Sequence, residues 1–227
     1  MSATRPAART SLVIALDGAS GSGKSSTSRA VAIRLGLRYL DTGAMYRALT
    51  WWLLRQGVDV HDPAAVAARC GEPEIVSGTD PTAPTIVVDG IDVGTEIRTD
   101  KVNAAVSPVS AVPEVRARLL ELQRAVIGQG GIVVEGRDIG SVVWPQAEVK
   151  VFLSADPSAR AERRAAETGS IDVAGTQESL LARDRLDSGR ATAPLTRVDG
   201  AVHIDTTPYT LDEVVEQVVA LVGAGPA

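Results

Sequence analysis

The chain has 227 residues, 44% of them hydrophobic but only 3% aromatic, and a formal net charge of −5 at pH 7. That length suits one domain, or one core with small insertions, packed mainly by Ala, Val and Leu. The acidic balance argues against nonspecific binding of a nucleic-acid polymer or a membrane surface, and the single cysteine, Cys70, excludes an internal disulfide framework and fits a reducing compartment.

Residues 1–10 carry Arg5 and Arg9, and the apolar run behind them, Leu12 to Leu16, is too short for a signal peptide or a membrane span. A short disordered start and a soluble, cytoplasmic protein are therefore expected, with one domain over residues 11–225. The first core strand is predicted at about 11–16 and the first helix at about 24–35. Between them runs DGASGSGKSS, in which Gly18-x-x-x-x-Gly23-Lys24-Ser25 has the spacing of a phosphate-binding loop. Backbone N–H groups of such a turn, at a helix N-terminus, cradle an anion. Lys24, in a solvent-lined loop, would reach the β and γ phosphates of a nucleoside triphosphate, and the Ser25 hydroxyl would ligate Mg²⁺.

A second strand at about 38–41 leads into Asp41-Thr42-Gly43-Ala44-Met45-Tyr46-Arg47 and a helix at about 43–56, with Thr42 as a cap and Arg47 about one turn inside. Residues 59–98 break the alternation. Two β-like runs flank Asp89-Gly90, a hairpin signal, and predict a small antiparallel insertion. Helices follow at about 100–111 and, behind Pro113, at 114–127, the latter with Val115, Leu119, Leu122 and Val126 on one face.

The third core strand, at about 131–135, ends in Glu135-Gly136-Arg137-Asp138-Ile139-Gly140. Two glycines bracket a charged pair at the carboxyl end of a strand, where open α/β sheets place ligands. A strand at about 149–153 is followed by a helix at 157–167, with Asp156 as N-cap and Pro157 at its first position. An irregular stretch and an arginine-rich helix at about 177–187 make residues 167–190 the candidate lid. The chain ends on a strand at 202–205 and a helix at 210–222 opened by the capping box Thr210 to Glu213. The pattern is that of an α/β fold: a phosphate-loop NTPase-type parallel sheet flanked by helices, with an antiparallel β insertion and a mobile lid. No stretch marks a large apolar interface, so a monomer is expected.

Several functions of phosphate-loop proteins do not fit. A GTPase switch needs Asn-Lys-x-Asp, and the only asparagine is Asn103, not followed by Lys. An ABC or motor ATPase normally needs more chain and an apolar run ending in Asp-Glu. Three of the 23 basic residues are lysines (Lys24, Lys101, Lys150) and the rest arginines, so clustering of Arg with other motifs is the informative signal.

Taken together, GASGSGKSS, DTGAMYR, SPVSAVPEVRARLLELQR, EGRDIG and RDRLDSGRATAPL resemble bacterial cytidylate kinase, over Ser11 to Val222 and including the insertion of the long bacterial form. The resemblance implies transfer of phosphate from ATP to CMP or dCMP, with Mg²⁺. It places Gly18, Ala19, Ser20, Gly21, Ser22, Gly23, Lys24, Ser25 and Ser26 at the ATP phosphates, Ser25 on the metal, and Arg160 against the ATP base or phosphates. Arg47 and Arg137 would hold the CMP phosphate beside Thr42 and Tyr46. Ser107, Arg116 and Asp138 would read cytosine; Arg183 and Asp187 would bind the sugar; Arg190 would approach the transferring group from the lid. Lys24, Arg137 and Arg190 are then the catalytic cations. The attacking atom is already an anionic phosphate oxygen, so no general base is needed and His61 and His203 are expected to be structural. Leu186 and Ser188 stand where some relatives carry further lid arginines. Rival readings are a related small kinase acting on UMP or a small metabolite such as shikimate, and a phosphate-loop, ATP-dependent regulatory switch.

Overall fold

A parallel strand covered on both faces has to be apolar at successive positions, and β1 (Val13–Gly18) is buried along its whole length. The computed structural model describes residues 11–169, 171–189 and 197–223. After β1 come α1 (Lys24–Leu35), β2 (Arg38–Asp41), α2 (Thr42–Arg55), α3 (Pro63–Arg69), β3 (Ile75–Ser77), β4 (Ile86–Val88), β5 (Ile91–Asp92), α4 (Asp100–Ala111) and α5 (Pro113–Ile127). The second half contains β6 (Ile132–Gly136), β7 (Val149–Ser154), α6 (Pro157–Thr168), α7 (Val173–Ser188), β8 (Val202–Asp205) and α8 (Leu211–Gly223).

Five strands form one parallel sheet in the order β2-β6-β1-β7-β8. The side-chain alternation of β1 divides the core in two. Val13 and Ala15 face one cluster, with Leu49 and Leu53 of α2, Val109 of α4 and Leu119 of α5. Ile14 and Leu16 face the other, with Val31 of α1 and Val214 and Val218 of α8. The carboxyl ends of the three central strands (Gly136, Gly18, Ser154) thus open on one edge, between the two helical layers.

The five core strands fall within two residues of their predicted positions, and the seven predicted helices are all present. The insertion is richer than predicted. Asp89 (φ 48) and Gly90 (φ 78) make the expected hairpin turn between β4 and β5, with both central residues left-handed. A third strand, β3, pairs with β4 on its other side. Helix α3 is also unpredicted: Asp62 accepts N–H bonds from Ala64 (2.9 Å) and Ala65 (3.3 Å), and Pro63 opens the helix. The Asp89 carboxylate takes the Trp52 Nε1–H and the Glu74 N–H, each at 2.8 Å, and so ties the small sheet to α2.

One cap assignment changes. Asp41, not Thr42, caps α2, accepting from the Ala44 N–H at 2.9 Å; Thr42 is the first helical residue and its hydroxyl donates to the Glu135 carbonyl at 2.7 Å. Asp156 occupies the N-cap position of α6 without a side-chain cap bond. The capping box of α8 forms, with Thr210 N–H donating to Glu213 at 2.8 Å and Glu213 N–H to Thr210 Oγ1 at 3.4 Å. The expected disordered start and, of the candidate lid, residues 170 and 190 lie outside the described residues. Among those described, no helix is long and apolar enough to cross a membrane.

Candidate active site

The turn between β1 and α1 closes because its glycines permit it. Gly18 has φ +151, and a Cβ there would lie 2.1 Å from the Leu153 carbonyl oxygen of the neighbouring strand. Gly23, at φ 84, is the N-cap of α1 without any side-chain cap bond. Lys24 is only 8% exposed, not solvent-lined as predicted, and its Nζ folds back to the Ala19 carbonyl at 2.6 Å. Burial, and then the neighbouring Arg137, push its ammonium below the usual lysine range.

These residues open onto a cavity of about 880 Å³. From the loop it is lined by Ser20, Gly21, Gly23, Lys24, Ser25 and Ser26; from α2 by Thr42, Tyr46 and Arg47; from α5 by Arg116; from the segment after β6 by Arg137 and Asp138; and from α7 by Arg183. Gly18, Ala19 and Ser22 belong to the loop but not to the lining: the buried Ser22 hydroxyl donates to the Ala19 carbonyl at 2.9 Å. Ser107 is buried on α4, but the cavity is lined there by its neighbours Val106 and Ser110, one helical turn apart. Arg160 is also off the lining: it reaches the Ser20 carbonyl at 3.2 Å and the Asp184 carboxylate at 2.5 Å, joining loop to α7. Arg190 and the Asp187 side chain lie outside the described residues.

Two chemically different features line the cavity. At one, the Arg47 Nη1 is buried without a hydrogen-bond partner among the described residues, its closest carboxylate being Asp41 at 4.0 Å. An interior guanidinium nitrogen left unpaired is costly unless a ligand meets it. At the other, Arg116 and Asp138, both buried, form an ion pair, with the Arg116 guanidinium 5.8 Å from the Tyr46 ring centroid. A donor and an acceptor are thereby presented side by side from one wall.

No motif in the sequence marks Glu135 as a site residue. It sits at the carboxyl end of β6, accepts from the Ser25 hydroxyl at 3.0 Å, and also accepts from the Tyr39 hydroxyl. Burial, with Asp41 adding to it, pushes its carboxyl above the usual range, while Lys24 pulls the other way. Its signal in the sequence was an acidic residue ending a core strand; that it faces Ser25 follows from the strand order, with β6 beside β1. Next to it Gly136 leaves room where a Cβ would come within 2.7 Å of Thr42 Oγ1. The cavity wall also carries Arg29, Arg98 and Arg164, which no motif marked.

Mg²⁺ takes oxygen ligands and keeps waters and phosphates in its shell. The Ser25 hydroxyl beside the Glu135 carboxylate is an all-oxygen pair that fits it, and among the described residues no cluster of His, Cys, Asp and Glu offers a dedicated metal cage.

Comparison with known proteins bears on the whole chain. The family profile described as cytidylate kinase matches residues 14–224. A cytidylate kinase of Streptomyces avermitilis is 59% identical over 220 residues, 95% of each chain. One of Streptomyces griseus is 57% identical over 224 residues, 98% of this chain and 97% of that one. A gluconokinase from Sinorhizobium meliloti has a TM-score of 0.50 at 18% identity, covering 95% of this chain and 94% of its own, which is a likeness of fold. The profile spans the phosphate loop, the insertion and the Arg137-Asp138 turn alike, and the chain belongs to the cytidylate kinase family.

Proposed function

We propose that this protein transfers the γ-phosphate of ATP to CMP or dCMP, giving ADP and CDP or dCDP. The observation that carries the reading is that the phosphate loop and the Arg116–Asp138 pair open onto the same cavity. In this reading the loop from Gly18 to Ser26 holds the ATP phosphates. Arg47 and Arg137 hold the acceptor phosphate between Thr42 and Tyr46, and Arg183 with Asp187 holds the sugar. Ser107, on α4, supports the base beside the wall formed by Val106 and Ser110. Ser25 and Glu135 hold Mg²⁺, which supplies charge neutralisation at the transferring group when it is bound with ATP.

The chemistry is mainly positioning and charge neutralisation. A CMP phosphate oxygen, already anionic, attacks the γ-phosphorus in line; the bond to the ADP oxygen breaks and ADP leaves with that electron pair. No proton has to be removed first. Two unit negative charges about 4 Å apart repel by about 4 kcal/mol at an effective dielectric near 20, and the substrates carry several. Lys24 and Arg137 offset this repulsion from two sides, with Arg190 from the lid. Arg160 holds the loop against α7, so that closure of the lid and shape of the loop change together.

Cytosine presents an amino group beside an acceptor nitrogen. Asp138 accepts from the first and Arg116 donates to the second. Uracil presents a carbonyl oxygen and an N–H at the same places, which sets like against like. Product analysis with MgATP and each of CMP, dCMP, UMP and AMP tests the reading: CDP and dCDP should form fastest. Preferred phosphorylation of UMP, AMP or a non-nucleotide acceptor would overturn it.

A further inference from the structure

The turn that carries Arg137 and Asp138 is not held by its own helix. Residues 139–143 form a single π-helical turn, in which Val143 N–H donates to the Asp138 carbonyl at 3.1 Å and Trp144 N–H to the Ile139 carbonyl at 2.8 Å. Such a turn leaves its first N–H groups without a partner in the turn itself. Both are taken by one buried carboxylate from another strand. Asp17 Oδ1 accepts from the Ile139 N–H and Asp17 Oδ2 from the Gly140 N–H, each at 2.8 Å. The next residue of β1 adds a second hold, since the Gly18 carbonyl accepts from the Arg137 guanidinium.

Asp17 is 6% exposed and lies in register between Gly136 of β6 and Phe152 of β7, so its own backbone cannot shift without disturbing the sheet. A carboxylate gripping two successive N–H groups fixes both the height and the rotation of the peptide behind it. That peptide carries Asp138. We propose that Asp17 is a positioning residue for base discrimination: by holding the Ile139 and Gly140 amides it aims the Asp138 carboxylate at the base, and so sets the preference for CMP over UMP. Because Asp17 directly precedes Gly18, the same strand end that begins the ATP loop also aligns the base-reading turn. This inference rests on the reading of the site as a cytidylate kinase site.

The test is Asp17→Asn. The amide oxygen can still accept one of the two N–H bonds, whereas its NH₂ group opposes the other. The KM for CMP should rise by about tenfold and the CMP-to-UMP ratio of kcat/KM should narrow by a similar factor, the size of losing one buried charged hydrogen bond. The KM for ATP should change by less than about twofold, which a general loosening of the fold would not spare. In an Asp138→Ala background Asp17→Asn should have no further effect on the ratio. Equal losses on CMP and UMP, or an ATP KM that rises with that of CMP, would overturn the proposal. A wild-type protein that does not prefer CMP would instead overturn the functional reading. Amide NMR of the wild-type protein tests the grip with no substitution: the Ile139 and Gly140 N–H signals should exchange slowly, and fast exchange at both would also overturn it.

Discussion

The Ser25 hydroxyl donates a 3.0 Å hydrogen bond to Glu135, joining the first turn of α1 to the end of the adjacent strand β6. Glu135 in turn receives the Tyr39 hydroxyl, so a carboxylate buried at the bottom of the cavity is oriented from two sides. If this carboxylate orients Ser25 and the metal shell, Glu135→Gln should weaken apparent Mg²⁺ affinity by about 10- to 100-fold, as loss of such orienting partners does elsewhere. The measurement is activity against free Mg²⁺ at saturating ATP and CMP. An unchanged Mg²⁺ profile would show that Glu135 only packs the site.

Lys24 lies under the loop with its ammonium on the Ala19 carbonyl. Because burial already opposes its charge, removing it should not cost the fold stability. Lys24→Ala should melt within a few degrees of wild type yet lose about a hundredfold or more of its transfer rate, the scale of losing a preorganised charge partner. Single-turnover rates beside a thermal melt give both numbers. Near-normal transfer would remove Lys24 from the site.

Asp138 is expected to hold cytosine by its amino group and to repel uracil. A preference of about 2–3 kcal/mol for CMP over UMP corresponds to roughly 30- to 150-fold in kcat/KM. Asp138→Ala should lower CMP activity much more than UMP activity and narrow that ratio. Equal losses on the two would place Asp138 in phosphate positioning or folding instead.

Asp17 links the site to stability. Burial raises its carboxyl from 3.8 to about 6, against the two N–H bonds from Gly140 and Ile139 that favour the ion. The native protein therefore binds this proton more tightly than the unfolded chain does. The resulting stabilisation is full below about pH 3.8 and is lost as pH rises through about 6, a change of about 3 kcal/mol. Asp17→Asn lacks the titration. Denaturant midpoints of both proteins across pH 4 to 8 should show wild type gaining on the variant as pH falls, with Asp138 and Lys24, the facing charges, left in place. A pH-independent gap would mean that Asp17 titrates as it does in water.

The sheet was readable because its strands are short apolar runs and its helices carry ordinary signals, such as Pro113 and the Thr210 capping box. The loop and the Arg137-Asp138 turn were readable because their chemistry is compressed into contiguous residues. Glu135 and Asp17 were not. Each acts across strands, on Ser25 and on the Ile139 and Gly140 amides respectively, and a partner more than a hundred residues away leaves no local pattern. Strand β3 escaped because three residues, one of them exposed, show too little alternation. Asp41 and Thr42 are both good caps by residue type, and only the strand that brings up the Glu135 carbonyl decides between them.

The central claim, transfer between two nucleotides, is tested most directly by ADP formation from MgATP with and without CMP. The phosphate loop, Arg47 and Arg137 line one cavity, and in the proposed reading the γ-phosphate has its acceptor only when CMP is bound there too. ADP should therefore appear rapidly with CMP and at a small fraction of that rate without it, with CDP formed in equal amount. ADP release at the same rate in the absence of CMP, or without CDP, would contradict the account and leave a hydrolysing switch in its place.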